Sequence, residues 1–204
     1  GDLLLCDESA GAVCVLVAEW METVGLKTDP PTARALLTGL ATDCGWFRFA
    51  NTDARLLGMA AQLAVAVPSI NDIYRAIYEQ DSPGKLRLIG RMLLSLELLA
   101  ENRLAVLKLR QSDFAAAGAD GTMTEDIVNE AGRLGSTEAT VLFTEEPDGS
   151  VRVNFRSKQT LDVAALAAQF GGGGHQRAAG ARPHGSWDEV VARVTAATVA
   201  ALGA

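Results

Sequence analysis

Four consecutive glycines followed by a histidine are the first candidates for chemistry in this chain of 204 residues, in which residues 170–180 read FGGGGHQRAAG. Each glycine loses more backbone freedom on ordering than alanine does, so four together oppose folding by about 2 to 4 kcal/mol. Two interpretations account for this cost. Either Gly171 ends a helix as a left-handed cap and the others form a hinge, or the bare backbone of Gly171, Gly172, Gly173 and Gly174 lies against an anion.

The surroundings of the glycines favour the anion. Residues 151–182 contain five basic residues and one acidic residue, whereas the whole chain has 18 Lys and Arg against 25 Asp and Glu. Alternation along a predicted strand places Arg152 and Arg156 on one face, and Ser157 follows. His175 could donate a charge-assisted hydrogen bond to a phosphate oxygen. We therefore predict a phosphate site here; the alternative is a solvated strand face beside an ordinary surface histidine.

The second candidate is Asp43, in the segment TDCGWFRF at residues 42–49. It lies at the C-terminal end of an apolar helix, where the helix dipole disfavours a carboxylate. A nearby cation would reverse this effect, and carboxylate oxygens suit Mg²⁺ and Mn²⁺. The residues alone support equally well a solvated turn aspartate followed by a bend at Gly45.

Composition excludes several classes of protein. The formal net charge of −7 argues against a protein that coats long duplex nucleic acid, but leaves small or short ligands open. Cys6, Cys14 and Cys44 have no Cys-x-x-Cys spacing, so we predict neither a disulfide framework nor a zinc site, and we expect a cytoplasmic protein. No run of about 18 apolar residues is present, so we expect no membrane partner and no secretory signal.

The patterns of apolar residues divide the chain near residue 100. A short buried strand is predicted at Leu3–Cys6, followed by helices whose predicted starts are marked by Asp29, Thr52, Ser69 and Ser82. After residue 102 we predict strands and two helices, in the order 103–110, 137–144, 151–155, a helix that starts at Asp162 and runs into the glycines, and a final helix over 186–202. The predicted fold class is α/β, with a connector helix over 85–102 and a mixed-sheet domain over 103–204.

These motifs resemble those of the DHH phosphoesterases. GGGGHQRAAG, with FRSK at 155–158, resembles the signature of the DHH-associated C-terminal domain, and this glycine motif is highly specific. ATDCGWFRFANT resembles the last metal-ligand motif of the family, usually Asp-Thr-Gly-x-Phe. Order and spacing are similar to those of the small two-domain branch over essentially the entire chain. That branch comprises nano-RNases and phosphatases of 3′-phosphoadenosine 5′-phosphate, some of which cleave cyclic dinucleotides.

The resemblance implies a role for each candidate residue. Residues 1–84 would be the helical C-terminal part of a parallel-sheet DHH domain, with Asp43 as a catalytic ligand of a two-manganese centre, magnesium being the alternative metal. The nucleotide would be bound from the opposite side of a cleft by a set that includes the catalytic His175: Arg156, Ser157, Gly171, Gly172, Gly173, Gly174 and His175. The expected substrates are short oligoribonucleotides or small nucleotides.

The sequence also departs from the family. It has no Asp-His-His triplet, no Asp-x-Asp motif and no histidine before His175, and Cys44 replaces the usual threonine. We interpret the chain, which begins with Gly1, as a fragment of a longer enzyme that is inactive alone. One alternative is a non-catalytic nucleotide- or RNA-binding module like the glycine-histidine domain of alanyl-tRNA synthetases, which would have no use for Asp43. Another is a single-strand exonuclease. The exact nucleotide, the physiological metal and a possible homodimer stay open.

Overall fold

The computed structural model describes residue 4 and residues 6–124 and 126–203, which form two compact units that divide between Gln80 and Asp81. The described part of the first unit contains four helices: α1 Val13–Thr23, α2 Pro30–Asp43, α3 Ala54–Val65 and α4 Ile70–Tyr78. The strand predicted at Leu3–Cys6 includes Leu3 and Leu5, which lie outside the described residues. Leu4 and Cys6 are exposed and belong to no strand.

Three of the four described helices of the first unit, α2, α3 and α4, begin where a side chain accepts a free backbone N–H group, whereas α1 has no side-chain cap. Asp29 caps α2 and Ser69 caps α4, as predicted. The prediction of Thr52 as the cap of α3 is wrong, because the carboxylate of Asp53 accepts the N–H group of Leu56 at 2.8 Å. The core of this unit is formed by apolar side chains from all four helices, among them Val15, Leu37, Leu40, Leu56, Leu63 and Ile73.

No single described helix is long and apolar enough to cross a membrane. Helices α3 and α4 have the required length and composition only when taken together, and they are bent by 109° at the break between them. Leu56, Leu63 and Ile73 of this pair lie in the core of the first unit.

The second unit is a mixed α/β fold around one six-stranded sheet. Its elements are α5 Pro83–Leu94, β1 Glu97–Leu99, β2 Leu104–Leu109, α6 Gln111–Ala117, two 3₁₀ helices at Gly121–Thr124 and Ile127–Arg133, β3 Ala139–Glu145, β4 Val151–Ser157, α7 Val163–Ala168, β5 Gly173–His175, β6 Ala178–Ala181 and α8 Trp187–Ala201. The strand order is β1-β2-β3-β4-β6-β5; β2 and β3 are parallel and every other pair is antiparallel. The predicted α/β class is confirmed, including the hairpin of β3 and β4 and the cap of α7 at Asp162.

The two faces of the sheet are covered differently. One face packs against α7 and α8 through a continuous apolar core that contains Val141, Phe143, Val153, Phe155, Val190 and Val194. On the other face, α5, α6 and a 3₁₀ helix bury the residues of β2 and β3, which include Ala105, Leu107 and Leu142. The β4–β6–β5 half of that second face carries polar residues and glycines that are exposed or half-buried. This open half of the sheet positions the residues considered below.

The prediction of a connector helix over 85–102 is wrong, because the helix is shorter and belongs to the second unit. Helix α5 ends at Leu94, and residues 97–99 form β1, which pairs with β2, so the sheet continues across residue 100. The hydroxyl of Ser95 accepts the N–H group of Lys108 at 2.8 Å and so fastens the end of the helix to β2. The face that α5 buries on the sheet contains Leu88 and Met92, whereas Leu86 and Leu93 of the stripe that suggested a connector are exposed.

We predict that Leu88→Ala destabilises the second unit by about 2 to 5 kcal/mol, because Leu88 is completely buried between α5 and the sheet. Leu94→Ala is the matched control, since Leu94 lies on the same helix and is 89% exposed. Urea unfolding of the whole chain measures the loss, and hydrogen exchange locates it in residues 81–204. Equal effects of the two substitutions would show that α5 does not belong to this core.

Candidate functional site

The first two glycines of the run end helix α7. Gly171 has a left-handed φ of 73°, and its N–H group donates to the carbonyl of Ala168 at 3.2 Å. The N–H group of Gly172 donates to the carbonyl of Ala167 at 3.0 Å. Both N–H groups are therefore occupied by the helix cap and are not free to cradle an anion, so at Gly171 the structure shows the helix-cap interpretation.

Gly172 and Gly174 are required by close packing against β6. A Cβ atom at Gly172 would lie 2.1 Å from the carbonyl oxygen of Gly180, and one at Gly174 would lie 2.6 Å from the carbonyl oxygen of Ala178. Gly174 also has a φ of 146°, which other residues rarely adopt. Because the opposing atoms are backbone, they cannot rotate away. The fold itself therefore needs glycine at these two positions.

Gly173 differs from its neighbours. It is exposed, its φ lies outside the left-handed region, and a Cβ atom there would meet no heavy atom within 4 Å. Its partner across the strands is Gly180, where a Cβ atom would make only an ordinary contact, 3.4 Å from the Val153 carbonyl oxygen. The packing of the chain does not require glycine at either position. The surface is bare backbone there, as a ligand lying against the sheet would need.

Two rows of paired residues cross the open half of the sheet from β4 through β6 to β5. The rows are Arg156–Ala178–His175 and Asn154–Gly180–Gly173. Residues opposite each other in a pair, and residues two apart on a strand, share one face. Strands lie about 4.8 Å apart, so the Cα atoms of Arg156 and His175 are about 10 Å apart on that face. The structure thus brings together two of the predicted site residues, 19 positions apart in the sequence.

Hydrogen bonds to neutral groups hold the Arg156 side chain in place, and no carboxylate among the described residues forms an ion pair with it. Its Nε donates to the Asn129 side-chain oxygen at 3.1 Å, and one terminal nitrogen donates to the Phe155 carbonyl at 3.0 Å. Burial lowers the pKa of the guanidinium, and the negative charge of Asp126 opposes this shift. Arginine keeps its charge near neutral pH in either case. No described carboxylate forms an ion pair with it within 4.0 Å, and Asp126, which lines the same groove, is the described carboxylate whose charge acts on it.

Arg152, two residues earlier on the same face, has a different environment. Its Nε donates to a carboxylate oxygen of Glu146 at 2.6 Å, and a terminal nitrogen donates to the Thr124 hydroxyl at 2.7 Å. These contacts fix Arg152 and offset its charge. The groove above β4 is lined by Gly121, Thr122, Thr124, Asp126, Val128, Arg152, Asn154 and Arg156. Sequence reasoning missed the wall formed by the 3₁₀ helices, because segments as short as Gly121–Thr124 and Ile127–Arg133 carry no extended apolar period.

Ser157 is not brought together with Arg156. Successive strand residues point to opposite faces, and the Ser157 hydroxyl donates to the carbonyl of Leu161 at 2.7 Å. Arg177 donates to the same carbonyl at 2.8 Å. Both side chains close the loop between β4 and α7, which gives Ser157 a structural position in place of the predicted contact with phosphate. His184 lies in an exposed loop, as expected of an ordinary surface histidine.

Asp43 is the exposed last residue of α2, in the first unit. The described residues include no group of three His, Cys, Asp or Glu side chains that could hold a metal ion. The ionisable neighbour that senses its charge is Cys14, and burial together with the carboxylate of Asp43 raises the pKa of that thiol. A protonated thiol is not a ligand for Mg²⁺ or Mn²⁺. The described residues therefore do not fit a two-metal centre, and Asp43 as a metal ligand stays a prediction.

The turn after Asp43 explains why Cys44 is tolerated where the resemblance expects threonine. Cys44 is fully buried; its Sγ accepts the Phe47 N–H group at 3.3 Å and lies 3.5 Å from the Ala41 carbonyl, to which it donates. A threonine hydroxyl could make the same two contacts. Gly45, Trp46 and Phe47 all have φ between 56° and 65°, and edge-on packing of Trp46 on two tyrosines of α4 supports this left-handed run.

Comparison with known proteins identifies the family of one domain. Residues 102–199 match the DHHA1 domain. The protein named bifunctional oligoribonuclease and PAP phosphatase NrnA from Bacillus subtilis (strain 168) is 31% identical to this chain over 93% of the chain and 60% of that protein. The second unit contains a DHHA1 domain. The similarity to the Bacillus subtilis protein also covers the first unit.

One further curated protein and one solved structure are similar to this chain. The protein of the same name from Thermus thermophilus is 30% identical over 89% of the chain and 54% of its own length. The chain therefore spans a little over half the length of these curated relatives. A crystal structure of an exopolyphosphatase-related protein from Bacteroides fragilis has the same fold, with a TM-score of 0.88 over 96% of this chain and 58% of that one, at 22% identity.

We predict that Gly172→Ala and Gly173→Ala have different effects on stability. Gly172→Ala places a methyl group against backbone and lowers the free energy of unfolding by about 1 to 3 kcal/mol. The methyl group of Gly173→Ala lies in open space, so the free energy of unfolding changes by less than about 1 kcal/mol. Alanine also reduces the freedom of the unfolded chain, which favours the folded state. Thermal and urea unfolding of the two variants measure this. Comparable losses in both would mean that Gly173 is also required by packing.

Proposed function

We propose that the complete protein containing this chain is a metal-dependent phosphoesterase of short oligoribonucleotides or small nucleotides, and that the open half-sheet of the DHHA1 domain binds the substrate phosphate. The observation that carries the proposal is the row Arg156–Ala178–His175, in which a fixed, un-neutralised cation and an exposed imidazole share one face. The names of the curated relatives support the same chemistry, because they describe an oligoribonuclease and a phosphatase.

The residues of the row have complementary tasks in this proposal. Arg156 donates charge-assisted hydrogen bonds to phosphate oxygens, and Asn129 holds its guanidinium in position before the ligand arrives. His175, at the exposed end of β5, donates from the other side. Ala178 lies between them and is small, so no large side chain separates the two. Two donors on one group orient the ligand as well as attract it.

Asp43 is the residue of this chain to which we assign a role in metal binding. We propose manganese as the physiological ion, with magnesium as the alternative, and Asp43 as one ligand, because a carboxylate oxygen suits either ion. When bound, such an ion activates water for attack on phosphorus. The described residues offer no second and third ligand beside Asp43, so no step of hydrolysis is assigned to them. The contribution that we propose for them is substrate binding.

The distribution of charge supports a short ligand. Arg156 lies on one half-sheet of a chain with net charge −7, whereas long nucleic acid is held through many phosphate contacts. We also propose a cytoplasmic location, which is consistent with Cys6, Cys14 and Cys44 as free thiols.

We predict that Arg156→Ala and His175→Ala each weaken binding of adenosine monophosphate at least tenfold. A hydrogen bond to a charged group contributes roughly 1.5 to 3 kcal/mol, which corresponds to about one to two powers of ten in Kd. His184→Ala and Arg133→Ala are the matched controls, since both residues are exposed and lie outside the row. Calorimetry on the folded variants provides the comparison. Unchanged affinity in His175→Ala would make His175 an ordinary surface residue.

We further predict that binding and hydrolysis separate in this chain. The 204-residue chain should bind adenosine monophosphate without added metal, because Arg156 and His175 lie in one unit. It should not hydrolyse a labelled diribonucleotide in the presence of Mn²⁺, because a single carboxylate holds a divalent ion only weakly. Robust hydrolysis would contradict the interpretation of Asp43 as an isolated ligand. Absence of binding at millimolar nucleotide would contradict the assignment of the site to the half-sheet.

A further inference from the structure

Strand β1 forms one outer edge of the six-stranded sheet, and no described strand pairs with its outer side. The hydroxyl of Ser95 bonds both the N–H and the C=O group of Lys108, so these two groups are directed toward the side of β2 on which β1 lies. Peptide groups alternate in direction along a strand, so the residues of β1 that bond β2 are Glu97 and Leu99. The N–H and C=O groups of Leu98 are therefore directed outward, away from the sheet.

Helix α5, which leads into β1, presents apolar residues to solvent. Leu86, Leu93 and Leu94 are 60%, 40% and 89% exposed, respectively. They lie three or four residues from Gly90, so the four positions share one side of the helix. Glycine is unfavourable inside a helix, and neither a close contact nor a positive φ requires it at Gly90. The bare backbone there lets another helix approach α5 closely.

Leu98 joins the open strand edge to this helix face. Its partner on β2 is Ala105, which lies in the core that α5 covers, so Leu98 is on the α5 side of the sheet. The Leu98 side chain is 40% exposed there. An apolar helix face beside an open strand edge is typical of a surface that binds another protein. We call this surface the edge surface; it consists of Leu86, Gly90, Leu93, Leu94 and Leu98.

We propose that the edge surface binds the edge surface of a second copy of this chain, with the two β1 strands paired antiparallel about a twofold axis at Leu98. The N–H and C=O groups of Leu98 then exchange two hydrogen bonds with the same groups of Leu98 in the second copy. Residues directly opposite each other in such a pair share one face of the sheet. Both α5 helices therefore lie on the same side of the joined sheet, where their exposed leucines cover one another.

Three features favour a second copy over an unrelated protein. First, the outward groups of Leu98 are one donor and one acceptor, which match themselves across a twofold axis. Second, the neighbouring carboxylate of Glu97 is already paired with Lys108 at 2.6 Å, so the joint brings no unpaired like charges together. Third, α5 is about 18 Å long and helices are about 10 Å wide. With β1, this surface is near the lower end of specific interfaces, about 600 Å² per partner, so we expect a weak dimer with a micromolar Kd.

This inference does not depend on the proposed phosphate site, which lies toward the opposite edge of the sheet. Sedimentation equilibrium of the 204-residue chain, from low to several hundred micromolar, should show a monomer that dimerises as the concentration rises. Leu94→Arg places a charge in the apolar contact and should raise the dimer Kd at least tenfold. Val65→Arg is the matched control, because Val65 at the end of α3 is also 89% exposed, and it should leave the Kd unchanged.

Two variants at Leu98 test the strand contact. Leu98→Pro removes the outward N–H group but no bond to β2, so it should fold and should raise the Kd at least tenfold. Leu98→Val keeps the N–H group and should preserve the dimer. Circular dichroism verifies that each variant is folded.

Cross-linking tests the position of the twofold axis. Residues that exchange hydrogen bonds across an antiparallel pair have Cα atoms about 5.5 Å apart, which a disulfide can span. In a chain with the exposed Cys6 replaced by serine, Leu98→Cys should oxidise to a covalent dimer, whereas Val65→Cys should not. A chain that stays monomeric at every concentration would overturn the inference. So would a dimer that Leu94→Arg and Leu98→Pro leave intact, because the copies would then meet through another face, such as the exposed side of α1 that carries Trp20.

Discussion

The backbone contact between the glycine run and strand β6 is the constraint on which the candidate site depends. Gly172 and Gly174 lie so close to the carbonyls of Gly180 and Ala178 that no side chain fits between the two segments. Because of this contact, the chain can turn immediately after α7 and continue as β5, which pairs with β6 at the edge of the sheet. The pairing then places His175 in the row of Arg156. Side chains from distant parts of the sequence meet because main chain packs directly on main chain.

The buried core and the proposed binding surface lie on different halves of the same sheet face. Apolar residues on β2 and β3 are covered by helices, while the β4–β6–β5 half of the same face carries polar residues and glycines. Within that open half, Arg152 is paired with Glu146, whereas Arg156 is held by neutral acceptors. Two arginines on one strand face thus have different electrostatic roles, which depend on their neighbours and not on their position in the strand.

Local signals in the sequence predicted much of this structure, and contacts between distant residues account for the rest. Asp29, Ser69 and Asp162 cap helices because capping involves only the next few residues. Strands β5 and β6, with sequences GGH and AAGA, contain no β-branched residue and form only because β4 offers a pairing edge. An apolar stripe such as that of α5 does not distinguish a helix that connects two domains from a helix that packs in the core of one domain. The glycine motif indicated the candidate site, but could not show that Ser157 faces the opposite side of the sheet from Arg156.

The position of α5 and β1 has a consequence for the exchange of this domain between proteins during evolution. The segment that matches the DHHA1 domain begins at residue 102, whereas the compact unit begins near residue 81. A chain cut at the family boundary would leave β2 as an unpaired edge strand and expose Leu107 and Leu109 to water. Such an edge recruits other strands and aggregates. A gene rearrangement that moves this domain to a new protein must therefore carry the preceding helix and strand with it, or the recipient must supply their equivalent.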